Sequence, residues 1–208
     1  PSDSWFRPYG VSIVNQLLHL GHSVRLINHH SQVIQGDVCF ILSYPSIIPT
    51  SILNLSCNNI VVHSSDLPEG QGWSPFAWQI IEGKSRIVTS LFEATESVDD
   101  GLIYMKCQLE LDGDELTPQW QNKQATLIVD MCLDFISCKL SNRLSSITTD
   151  SIVQSWYPKR GPKDSQLDIS SSLSEQFNLL RTVDNKKYPA WFIHKGKKYI
   201  LSIYVDEE

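Results

Sequence analysis

The sequence predicts an α/β fold: a parallel, right-handed, Rossmann-like sheet with helices on both faces, followed by a small α+β appendage. Three observations predict it. Short continuous apolar runs fit buried strands, apolar residues at helical spacing lie between and after them, and the β-then-α order repeats along the chain.

Pro1 to Gly10 reads as a loop. Val11, Val14, Leu17 and Leu18 mark a helix that closes at Gly21, a residue suited to a C-cap. Residues His22 to Asn28 alternate through Val24, Leu26 and Ile27 as a strand would. Val38 to Leu42 is a continuous apolar run, as in a central parallel strand. Pro49 opens a short helix, Thr50 to Leu55, and Ile60 to His63 is the next strand. Ser74 as N-cap and Pro75 at the first helical position start a helix, Phe76 to Glu82, which Gly83 ends. Arg86 to Phe92 and Leu102 to Leu109 read as period-two strands around the loop Glu93 to Asp100. Leu116 to Leu140 is a long helix with Leu127, Ile128, Met131, Cys132 and Phe135 on one face.

A polar, Ser/Thr-rich stretch then separates this body from the rest. We therefore divide the chain into a main domain (1–140), a connection (141–156) and an appendage (157–208). In the appendage a helix is predicted over Ser174 to Val183. A hairpin of Trp191 to His194 and Lys198 to Val205 turns at Lys195-Gly196.

With 208 residues, 41% of them apolar, the chain has ample material for one core and an appendage. A net charge of −6 argues against nucleic acid as the main partner, because phosphate backbones need a basic face. The five cysteines show no CxxC and no zinc-ligand spacing, and read as reduced, buried thiols of a cytoplasmic protein. No membrane span and no signal peptide are expected. The Asp112-Gly113-Asp114-Glu115 cluster reads as a loop and helix first turn rather than a metal site. His29-His30 and His194 have no partners at ligand spacing.

The chemistry concentrates in Val61-Val62-His63-Ser64-Ser65-Asp66-Leu67-Pro68 and, further on, Val98-Asp99-Asp100-Gly101. His63 sits at the carboxyl end of a buried strand, where open α/β sheets place ligands. Asp99, before a glycine turn, can meet it in space and hold its ring as a base. On residue types alone, such a pair is more often two unrelated polar groups.

The surrounding text resembles the folate-dependent formyltransferases, the family of methionyl-tRNA, glycinamide ribonucleotide and nucleotide-sugar formyltransferases. His63, Leu67-Pro68, Gly72 and Asp99-Asp100-Gly101 stand in the family's order. Tyr157 to Asp168 and Phe177 to Asp184, with Tyr188-Pro189-Ala190 behind, resemble its downstream segments. The resemblance covers nearly the whole chain and implies a strand ahead of Pro1.

One departure stands out: the family's Asn two residues before the histidine is Val61. Asn59 lies roughly 13 Å back along the strand, at about 3.3 Å per residue, and cannot substitute. Val-Val-His and Gly72-Trp73-Ser74-Pro75 look like the sugar-modifying branch, nearest the formyltransferases of pseudaminic acid-type pathways.

The resemblance implies His63 and Asp99 as catalytic residues, with the oxyanion left to protonated His63 or to a backbone N–H. It implies N10-formyltetrahydrofolate as co-substrate, held by Tyr44, Ser46, Ile47, Ile48, Ala94, Thr95, Glu96 and Asp99. The acceptor is a UDP- or dTDP-linked amino sugar destined for a surface glycan, held by Ser64, Asp66, Gly72, Trp73, Ser74 and Arg160. Trp73 suits stacking on a base or sugar, and equally suits packing on the following helix. Lys159, Arg160 and Lys163 suit a diphosphate, and equally a solvated loop. A homodimer is compatible with this reading, and neither nucleic acid nor membrane is expected as a partner. The rivals are a catalytically silent binding module, a tRNA formyltransferase and a formylfolate hydrolase.

Overall fold

The computed structural model of the protein describes residues 4–148 and 153–206. Part of the connection (149–152) therefore lies outside the described residues. Helix α1, Arg7–His19, starts earlier than Val11, because Pro8 suits a first turn and Phe6, 3% exposed, anchors its entry in the core. The expected loop up to Gly10 is correspondingly short. Gly21 follows the helix at φ +86°.

The main sheet has four strands in the order β1-β2-β4-β5: Gly36–Ile41, Ser56–His63, Arg86–Glu93 and Ile103–Glu110. β1 and β2 pair in parallel, linked through the short helix α2, Thr50–Leu53. β4 runs antiparallel to β2, and β5 antiparallel to β4. The register explains the reversal. Ser90 sits opposite His63, so β4 enters the sheet from the end at which β2 leaves it. The β4–β5 link carries no helix, and a parallel pair would need a crossover there.

The alternation of residues 22–28 does not produce a strand. Among the described residues no strand lies alongside them, and Val24 packs instead into the cluster around α1. Alternation suits an extended chain, but a ladder also needs a partner.

Helix α4, Thr117–Leu140, covers one face of the sheet together with α1. Ile128, Met131, Cys132 and Phe135, all buried, meet Ile60 and Leu91 of the sheet and Ile13 and Leu17 of α1. Alternation along β2 sends Asn59, Val61 and His63 to the opposite face, where Val61 packs with Leu67, Phe92 and Ile103. No helix among the described residues is long and apolar enough to cross a membrane.

Beyond β2, a two-residue strand β3, Gln71–Gly72, precedes α3, Pro75–Ile81. Ser74 occupies the N-cap place but does not cap with its side chain; its φ of +51° turns the chain instead. β3 pairs with β6, Trp156–Tyr157, which lies across the expected start of the appendage. The predicted helix over 174–183 shrinks to α5, Phe177–Leu180. Gln176 is engaged in hydrogen bonds to Asp168, and Ser172 pairs with Glu175, so the residues before Phe177 are held in turns. Hairpin β7–β8, Ala190–His194 and Lys197–Leu201, turns at Lys195-Gly196 with positive φ at both, as the dipeptide predicts.

Two further expectations need correction. All five cysteines are free, but only Cys132 is buried, and Cys57 is exposed, because β1 and the start of β2 lie at the sheet's rim. Glu115 is not a first-turn dipole partner. It precedes α4, and its buried carboxylate accepts from Lys123, Arg181 and the amides of Asp112 and Gly113.

A candidate active site at the end of β2

His63 ends β2, and its ring is held by the turn that follows. Its Nε2 lies 2.9 Å from the Gly70 carbonyl oxygen and 3.7 Å from Asp99 Oδ2. A carbonyl only accepts, so Nε2 carries the proton in neutral His63 and Nδ1 keeps the lone pair. Both side chains are 10% exposed, which shelters them from water yet leaves an approach.

Asp99 is placed by strong local constraints. Its φ is +54°, the left-handed region, and β3 secures it at both ends. Gly72 donates its N–H to Asp99 Oδ2 at 2.9 Å, and Gln71 Nε2 donates to Asp99 O at 3.0 Å. Two glycines permit this closeness. A Cβ on Gly101 would lie 1.6 Å from Glu93 O, and one on Gly72 would lie 2.5 Å from Tyr157 O. Gly72 also has φ +98°, which L side chains rarely adopt.

The two expected folate loops are joined. Thr50 Oγ1, at the start of α2, donates to Glu96 Oε1 at 2.8 Å, tying 44–49 to 94–99. Ala94 donates its N–H to Asn59 O, and Thr95 and Ser97 bond one another. Glu93, behind this loop, accepts from the Asn59 amide and from Tyr104 Oη, so the loop leaves the sheet from a fixed base. Ser46 and Ile47 are exposed, and Ile48 is half-buried. Tyr44 Oη meets His30 Nδ1 at 2.9 Å, so His30 has a structural partner that spacing did not reveal.

The expected acceptor residues fall into two groups. Ser64 is buried and its hydroxyl accepts from Gln124 Nε2; Asp66 pairs with Lys106 at 2.5 Å; the Gly72 amide is taken by Asp99. The polar groups of these three are taken up within the protein. Trp73, 38% exposed with Lys159 Nζ 4.9 Å from its ring centre, faces outward beside exposed Ser74. Arg160 packs over Trp78 and donates to Thr182 O at 3.1 Å. Burial lowers its pKa, and Asp164 opposes that. Asn59 is committed to Leu53 O, which removes it from the chemistry.

Sequence reasoning missed Gly70, whose role runs through the backbone, and Gln71 and Ser155, which act through both backbone and side chain. It also missed the Glu115–Arg181 pair, at 3.1 Å, that docks α5 onto the start of α4.

The chain is 24% identical over 181 residues to the bifunctional polymyxin resistance protein ArnA of Wigglesworthia glossinidia brevipalpis, covering 86% of this chain and 27% of that protein. It is 24% identical over 174 residues to the methionyl-tRNA formyltransferase of Clostridium novyi, covering 82% and 55%. The chain thus spans about a quarter and about half of the length of these relatives. Among solved structures, a sugar N-formyltransferase from Shewanella sp FDAARGOS_354 shares the fold, with a TM-score of 0.65 at 15% identity over 82% of this chain and 70% of that one. Residues 22–131 match the formyl transferase family, and that stretch holds both His63 and Asp99: the chain belongs to this family.

Proposed function

We propose that this protein moves a formyl group from N10-formyltetrahydrofolate to the amine of a nucleotide-linked amino sugar in the cytoplasm. The observation that carries the reading is the His63–Asp99 pair, set at a strand end inside a formyl transferase domain. The acceptor nitrogen attacks the formyl carbon, a C–N bond forms, and the carbonyl becomes an oxyanion. His63 Nδ1 takes the proton from that nitrogen; Asp99, near Nε2, balances the imidazolium that results. Return of the proton to N10 as its bond to carbon breaks yields tetrahydrofolate and the formamide. The joined loops 44–49 and 94–99, with Ile47 and Ile48 available to an apolar ring, support a folate seat beside this pair.

The choice of acceptor rests on charge and on the outward indole. A net charge of −6 disfavours a tRNA, while exposed Trp73 with Lys159 over its ring suits a base or sugar with a diphosphate. The family likeness to a sugar N-formyltransferase points the same way, although sequence relatives include methionyl-tRNA formyltransferase. Mass spectrometry on amino-sugar nucleotides incubated with formylfolate tests the reading. A gain of one formyl group on the sugar is expected. Formylated methionyl-tRNA, or formate released without an acceptor, would overturn the sugar assignment.

Val61 separates an altered site from a silent one. Its half-buried side chain packs with Leu67, Phe92 and Ile103, so Asn there would set an unmatched amide against apolar neighbours, at a cost of up to about 1–3 kcal/mol. Val61→Asn is expected to leave turnover unchanged or lower it. A rise of about 10²–10³, the value of one oxyanion donor, would mean that the chain has lost that donor.

A further inference from the structure

The peptide unit that receives His63 is braced from a single residue far along the chain. Gly70 donates its N–H to Ser155 Oγ at 2.8 Å, and Gln71 donates its N–H to Ser155 O at 2.9 Å. The second amide shares a peptide plane with the Gly70 carbonyl, which accepts from His63 Nε2. Hydrogen bonding at one end of a peptide polarises the other, so this anchor also strengthens the acceptor that faces His63.

Gly70 cannot secure itself. Its φ is +75°, and a Cβ there would lie 2.9 Å from Ser65 Cβ and 3.0 Å from Tyr157 Cε2, so no side chain can be added to stiffen it. Glycine also resists peptide rotation less than any other residue. The segment that holds it is itself fastened: Tyr157 Oη donates to Glu82 Oε2 at 2.7 Å, and Trp78 Nε1 donates to Pro158 O at 2.8 Å. Burial, then the Glu82 carboxylate, pushes the Tyr157 phenol above its usual range, which keeps it a donor.

We propose that Ser155 is a positioning residue for the reaction: through Gly70 it sets the direction and the tautomer of His63. The inference rests on the formyl-transfer reading above. The carbonyl is what makes Nε2 the protonated nitrogen and leaves Nδ1 free to accept. Ser155→Ala keeps the backbone bond to the Gln71 amide but frees the Gly70 N–H, so rotation about the Gly70 N–Cα bond loosens, the carbonyl facing His63 shifts off line, and the ring divides between its two tautomers. Substrates would bind as before, but fewer molecules would hold a usable base.

The test uses the full chain. Ser155→Ala is expected to lower kcat roughly tenfold, about the worth of one neutral hydrogen bond, with KM for formylfolate and acceptor changed less than about twofold. Ser155→Thr, which keeps the hydroxyl, should restore kcat. Nitrogen-15 NMR of the imidazoles, with His63→Gln assigning the signal, should show the Nε2–H tautomer in the unmodified chain and a mixture in Ser155→Ala. Unchanged kcat, a loss confined to KM, an equal loss in Ser155→Thr, or an unaltered tautomer would each overturn the proposal. Should the unmodified chain transfer no formyl group, the transfer reading fails by itself, and the tautomer measurement still decides what Ser155 does.

Discussion

Replacing His63 by Ala, or Asp99 by Asn, is expected to slow formyl transfer by roughly 10²–10⁴, the usual worth of a general acid–base group. The two changes should act through different routes. His63→Ala removes the proton acceptor outright. Asp99→Asn keeps an oxygen for the Gly72 amide, so the loop stays in place while the charge facing Nε2, at 3.7 Å, is lost. Both variants should therefore keep the melting temperature of the unmodified chain within a few degrees. Single-turnover rates with saturating formylfolate check this, and near-normal turnover in either variant would remove that residue from the mechanism.

The largest effect on stability is expected at Glu115 and Arg181. Their side chains are 6% and 2% exposed, so water does not replace a partner that is removed. Arg181→Ala removes one of four donors to a buried carboxylate that keeps Lys123 and two amides, which costs about 1.5–3 kcal/mol and lowers Tm by roughly 3–12 °C for a chain of this size. The backbone carbonyl of residue 181, which accepts from Trp120 Nε1 at 3.0 Å, is kept in this variant and still ties α5 to α4. Burial alone would raise the Glu115 pKa, but hydrogen bonds from Lys123 and the amides of Asp112 and Gly113 outweigh it and hold the group at about 2. A depressed carboxylate contributes in full above its ordinary value of 4.5 and loses that contribution as pH falls toward 2. Thermal unfolding followed between pH 2 and 7 should show that slope, and Glu115→Gln should flatten it. A drop in Tm of only a degree or so for Arg181→Ala would show the pair to be ornamental.

Much of this was legible in the residues because burial writes itself into periodicity. Ile60, Leu91, Met131 and Phe135 are apolar at the spacing their strands and helix require, and they meet in the core. Lys195-Gly196 names its turn for the same local reason. Residues 22–28 misled because alternation reports an extended chain, whereas a strand is a relation between two segments. Ser74 misled because the chain bends there through a left-handed φ of +51°, and its hydroxyl makes no capping bond. In the candidate site, His63 and Asp99 could be read as side chains, and the structure brings them together. The Gly70 carbonyl could not, since a backbone acceptor has no letter in the sequence, and Ser155, which accepts from the Gly70 and Gln71 amides, lies too far along the chain for spacing to link it to them.

The pairing of β3 with β6 also sets an order in time. A ribosome delivers the chain from its N-terminal side, and domains begin to fold as they emerge. All four strands of the main sheet, His63 and Asp99 leave before residue 141, yet Ser155, Trp156 and Tyr157 come later. A nascent chain can therefore complete its sheet while the strand beneath His63 still lacks its neighbour. The same holds for a fragment released early by a stop codon or a protease: it would carry the whole acidic body and both reactive side chains without the brace that aims them.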